Sequence, residues 1–255
     1  MLFDDGLFIG IDIAGGARRI SYAALDRELR PAALGQGNMQ EALAFIGGQN
    51  EAVIAINGPA GPNQGLLEME EVLAELPAAP KGKWRDSRLA EYLLFLRKLP
   101  VQPTPGEETK CKGWMRDGFK LRKRLRELGF VDYPSEDAKK QVLEAWPQIA
   151  FAVWLERLPL ASKEIMGRLQ RQLALYDLGL EISDPMSFFE EVTRYRILQG
   201  SLPERNLYKF GELNALALAY TARAAVRDGG KVQLVGDKSE GQIVIPAAEL
   251  RSGYK

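Results

Sequence analysis

Apolar positions open the chain as an unbroken run, LFIGIDI at residues 7–13, and resume as RRISYAAL up to Asp26. Two such β-branched runs with Gly15 and Gly16 between them predict a buried strand that turns into a hairpin. A short third strand is expected near residues 29–34. In NMQEALAFIGG the period becomes helical, with Asn38 as the N-cap and Gly47 as the stop. EAVIAIN then returns to a continuous run suited to a strand covered on both faces.

From Gly58 the pattern breaks into proline, glycine and charge (NGPAGPNQG, ELPAAPKGK, LPVQPTPGEE), interrupted by two helical stretches, DSRLAEYLLFLRKL and WMRDGFKLRKRLRELG. The segment at about 58–140 reads as an insertion that covers one end of the sheet. Beyond it, QVLEAW is a short strand and PQIAFAVWLERL a helix with Pro147 at its first position. KEIMGRLQRQLALYDLGL and DPMSFFEEVTRYRILQG are amphipathic helices, the second started by Asp184 and Pro185. KFGELNALALAYTARAAVRDGG is an Ala-rich helix closed by Gly229 and Gly230, and KVQLVGD with QIVIP forms a last hairpin. This order predicts one α/β domain over residues 1–255, a mixed sheet flanked by helices with a helical insertion. It matches neither a Rossmann unit nor a barrel.

Composition narrows the chemistry. The 255 residues contain no histidine, which removes Ser-His-Asp and Cys-His nucleophile activation and His-ligated zinc together. Hydrolysis here would rest on carboxylates, Lys, Tyr or a carboxylate-bound metal. Cys111 is the single cysteine, so no intramolecular disulfide forms, in keeping with a reducing compartment. Lys+Arg and Asp+Glu are both 34, so no global field announces a partner. The opening residues are acidic and their apolar runs short, which predicts a cytoplasmic protein with no membrane span.

Asp12 falls where the first strand ends at the glycine turn, placing a carboxylate at the sheet edge where open α/β folds hold ligands. It serves there either as a metal ligand or as the shaper of an Asx turn. Asn57 ends the next long strand in the same way, and Glu144 ends the short strand before Pro147. Asn214 lies on the Ala-rich helix, whose small side chains allow a close approach to the sheet; Glu212, two positions away, points elsewhere. Between Lys110 and Arg126 the basic residues include Lys120, Arg122 and Lys123, against one acid, Asp117. Trp114, Gly118, Leu121, Leu125 and Leu128 follow helical spacing. The helix is therefore expected to pack one face and present a basic one, open to nucleic-acid phosphates or simply solvated.

GIDIAGG, VIAINGPAGP, RDSRLAEYLLFL, GWMRDGFKLRKRL, EAWPQIAF, GRLQRQLALYDLG, NALALAYTA and GQIVIP occur in an order that resembles the domain of unknown function 429 family of predicted nucleases. The similarity spans nearly the whole chain. It implies a ribonuclease H-like fold with an acidic site at Asp12, Asn57, Glu144 and Asn214, two of them amides here. By that resemblance Asp12 and Glu144 would hold Mg²⁺ or Mn²⁺ while Asn57 and Asn214 assist, and metal-bound water would attack a phosphodiester. Arg85 and Arg88 fall in the family's Arg-and-acid helix, where an arginine could reach a phosphate. The reading from another class is a non-catalytic domain that binds nucleic acid or a protein on the same scaffold. Convergence of Asp12, Asn57, Glu144 and Asn214 in space is the central structural expectation.

Overall fold

The computed structural model of the chain describes residues 6–13, 19–227 and 231–255. The glycine pairs Gly15–Gly16 and Gly229–Gly230 lie outside the described residues. In chain order the elements are β1 (Leu7–Asp12), β2 (Ile20–Leu25), β3 (Pro31–Gly37), α1 (Met39–Gly47), β4 (Ala52–Asn57), α2 (Glu70–Glu75), α3 (Leu89–Leu96), α4 (Gly113–Glu127), β5 (Val131–Asp132), β6 (Lys140–Glu144), α5 (Pro147–Trp154), α6 (Ile165–Asp177), α7 (Ser187–Glu191), α8 (Arg194–Leu198), α9 (Phe210–Arg227), β7 (Gln233–Val235) and β8 (Ile243–Ile245).

The strands form one eight-stranded mixed sheet in the order β3-β2-β1-β4-β6-β8-β7, with β5 also on β6. The hairpin β1–β2–β3 is antiparallel, whereas β4 runs parallel to both β1 and β6. Because β4 takes one edge of β6 along its length, β5 and β8 share the other. β5 pairs Gln141 and Val142, and β8 joins only at Glu144.

Side-chain alternation assigns each face. Phe8, Val53, Ala55, Leu143 and Ala145 pack under α9, α5 and α6, while Ile9, Ile11, Ile54, Ile56 and Val142 pack under α1 and α4. The Ala-rich α9 lies across β1, β2 and β4. Its small residues meet Gly10 backbone to backbone, leaving no room there for even a methyl group.

Three expectations shift. The third strand begins later than predicted, because Asp26 turns the chain first, accepting from the backbone N–H of Glu28 and Arg30, both at 2.9 Å. The helix expected over 184–200 is two short ones: Val192 and Thr193 are extended, and the Thr193 hydroxyl accepts from Arg196 N–H to start α8. Leu128, placed on the packed face of the basic helix, is its exposed C-cap.

Candidate functional site

The parallel register sets Asp12 of β1 beside Asn57 of β4, so both side chains rise on the face that α9 covers. Asn214 reaches Asp12 from α9. Asn57 Nδ2 donates to Asp12 Oδ1 and Asn214 Nδ2 to Asp12 Oδ2, both at 2.7 Å, with Asp12 only 5 % exposed.

The orientation of the Asn214 amide is dictated from further away. Arg171 on α6 is buried and can only donate; its Nη2 donates to Gln148 Oε1 at 2.9 Å, so Gln148 must turn its amino group outward. Gln148 Nε2 then donates to Asn214 Oδ1 at 3.2 Å, which leaves Asn214 Nδ2 to face Asp12. Arg171 is itself held by the carbonyls of Leu160 and Gly167 and lies over Phe151 and Phe210. Burial pulls its guanidinium down to about 10, still protonated at neutral pH, so the direction of the relay is fixed. Sequence reasoning missed Gln148 and Arg171; the signal was a polar residue on the inner side of each of two otherwise apolar helix faces.

Glu144 does not join this cluster. It stands opposite Ile56 in the β4–β6 register, one position short of Asn57, and a one-residue offset along a strand reverses the face. On the α4 face its carboxylate accepts four N–H groups. Arg88 Nη2 and Trp146 Nε1 (2.9 Å) reach Oε1, and Arg88 Nη1 (2.9 Å) and the backbone of Ala60 (2.8 Å) reach Oε2. That exhausts what two carboxylate oxygens accept.

Arg88, expected at a phosphate, is instead wholly buried. Its Nε donates to Glu91 at 3.0 Å, and Glu91 also accepts from the Thr104 hydroxyl and N–H. Burial opposes the Arg88 charge, but Glu144 and Glu91 outweigh it and raise its proton affinity. Burial likewise pushes the Glu91 carboxyl above the usual range, against the pull of Arg88. Glu240 completes the knot, accepting from the backbone N–H of Gln64, Leu66 and Leu89. These bonds tie the insertion to β6 and to the loop before β8.

Of the remaining basic candidates, Arg85, Lys120 and Lys123 are exposed, whereas Arg122 is buried beneath α4. The donor set does not fit a two-cation centre. Two asparagines turn N–H groups where ligand oxygens would be needed, and Glu144 is spent on the other face. Among the described residues no group of three or more His, Cys, Asp or Glu could hold a metal ion.

The sequence model of a family described as a protein of unknown function, DUF429, matches residues 10–240. The chain belongs to the DUF429 family. No curated protein and no solved structure matches it. No described helix is long and apolar enough to cross a membrane.

In this DUF429 chain Asp12 is the acceptor for one buried amide, Asn214, and one half-buried amide, Asn57, so Asp12→Ala should strand both donors. The expected loss is about 2–4 kcal/mol in urea unfolding, the same with or without divalent cations. A carboxylate held for metal chemistry predicts the opposite, since removing functional charge tends to stabilise.

Proposed function

We propose that this DUF429 chain is a non-catalytic nucleic-acid-binding domain on a ribonuclease H-like scaffold, with the former acid site serving as an internal hydrogen-bond anchor. The observation that carries the reading is the division of the acids. Both Asp12 oxygens accept amide N–H groups from Asn57 and Asn214, while Glu144 faces the other way, saturated by Arg88, Trp146 and Ala60.

The binding half of the proposal rests on α4, whose outer side exposes Arg116, Lys120, Lys123, Arg124 and Arg126. Lys120, Arg124 and Arg126 lie beside Asp117, Glu127 and Asp132, but Arg116 and Lys123 have no acidic partner among the described residues. Seven residues apart on a helix, they lie on one side and can track a phosphate backbone without reading bases.

The test is fluorescence anisotropy with labelled single- and double-stranded DNA and RNA from about 50 to 200 mM salt, run beside cleavage assays in Mg²⁺ and Mn²⁺. Expected are salt-dependent binding and no cleavage, with Arg116→Glu/Lys123→Glu weakening affinity about tenfold or more and flattening the salt slope by about 2. Divalent-dependent cleavage that Asp12→Ala removes would restore the hydrolase reading, with Mg²⁺ or Mn²⁺ at Asp12. Affinity indifferent to salt and to the double reversal would remove nucleic acid as the partner.

A further inference from the structure

The stretch from Met186 to Leu202 turns its apolar residues outward. Its inner side is already filled: Phe188 packs with Leu169 and Leu207, with Ile165 and Val192 against them. α8 has no buried residue, yet three of its five side chains are large and apolar, with Tyr195, Ile197 and Leu198 at 72, 58 and 73 % exposure. The residue that α8 turns partly inward is Arg196, whose Nη1 lies 3.6 Å from Glu191 Oε2. This reverses the usual surface helix, whose apolar stripe faces the core. Tyr195 and Leu198, three apart, share one side of α8. Met186, Phe189 and Leu202 are exposed in the same stretch. Together these six side chains offer on the order of 500 Å² of apolar surface, comparable to the largest patch on a typical monomer and more than half of the about 800 Å² that each partner of a stable dimer buries.

The charges beside this surface identify what fits it. Glu191 is taken by Arg196 and Arg205, whereas Glu190 on α7 and Arg194 on α8 are exposed and have no ion-pair partner among the described residues. Four apart on a continuous helix these two would meet, but the extended backbone at Val192 and Thr193 separates them. An anionic membrane or a nucleic acid would select cations alone, and here an unpaired acid stands with the unpaired base. A two-fold axis satisfies both, because residue i of one copy meets residue j of the other while j meets i. Glu190 then faces Arg194 twice, at the polar rim of an apolar centre that α8 of each copy supplies.

We propose that this face binds a second copy of the same chain in a two-fold dimer, with Tyr195 and Leu198 of each copy at its centre and Glu190 of each opposite Arg194 of the other. The inference goes beyond the nucleic-acid reading and stands apart from it, since it uses neither α4 nor the Asp12 cluster.

The test is sedimentation velocity of the full chain from about 1 to 100 µM. Within that range the wild type should pass from monomer to a species of twice the 28.3 kDa chain mass. Tyr195→Glu/Leu198→Glu should stay monomeric throughout with an unchanged far-UV spectrum, since neither side chain packs in the core. Glu190→Arg alone and Arg194→Glu alone should each weaken the dimer about tenfold, because every substitution acts twice across the axis and sets like charges together. Glu190→Arg/Arg194→Glu exchanges the charges and should bring the affinity back to within about threefold of the wild type. Wild-type chain that stays monomeric at about 100 µM would give the face to a different partner. That result, a dimer indifferent to Tyr195→Glu/Leu198→Glu, or a charge exchange that restores nothing would overturn the proposal.

Discussion

Gly10→Ala should destabilise the protein by about 4 kcal/mol or more, a large effect for a single methyl group. A Cβ built at Gly10 would come within 2.5 Å of the backbone nitrogen of Ala219 and 2.7 Å of Leu218 Cβ, and closer still to the Ala215 carbonyl. Two of these three are backbone atoms of α9, so no rotamer change relieves the clash; the helix must retreat from β1. That retreat would loosen the contacts of Ala215, Leu218 and Ala219 with the sheet and draw Asn214 away from Asp12. Urea unfolding of wild type and variant measures the cost, and a change under about 1 kcal/mol would show that α9 tolerates displacement.

Arg88→Met should cost about 3–5 kcal/mol at neutral pH, because it leaves Glu91 and Glu144 buried without their countercharge. The pH dependence distinguishes this from lost packing. In the wild type burial already raises the Glu91 carboxyl, and Arg88 restrains it. Without Arg88 the folded value climbs further above the usual value near 4.5. A carboxyl raised on folding contributes stability below its unfolded value and loses it as pH rises through the folded one. The deficit should therefore be smallest near pH 4.5 and grow toward pH 7.5. A deficit that is flat with pH would assign the loss to packing alone. Replacing the whole cluster by apolar residues, Arg88→Met with Glu91→Leu and Glu144→Leu, should recover part of the stability.

The sheet and its covering helices were legible from periodicity alone, because β1, β4 and α9 are long and their patterns unbroken. The meeting of Asp12, Asn57 and Asn214 was legible too: two strand ends and a small-residue helix leave few ways to assemble. Glu144 was not, since its face depends on the register between β4 and β6, and no residue pattern in QVLEAW states whether Glu144 aligns with Ile56 or Asn57. Arg88 and Arg122 misled for a related reason. Hydropathy puts every arginine outside, and only the three-dimensional positions of Glu91, Glu144 and Asp132 show where these two go. The short helices of 184–200 escaped because Val192 and Thr193 fit the amphipathic period while disfavouring the helix itself.

The neighbouring central strands β4 and β6 are joined by the whole insertion, so the middle of the sheet closes a loop running from Gly58 to Lys139 before its first hydrogen bond forms. Pairings of such long sequence separation form late and slowly. Until β6 arrives, the apolar run of β4 presents an open strand edge to any other chain nearby. For this fold the hazardous interval lies in assembly, when growing chains are crowded together, far more than in the finished molecule.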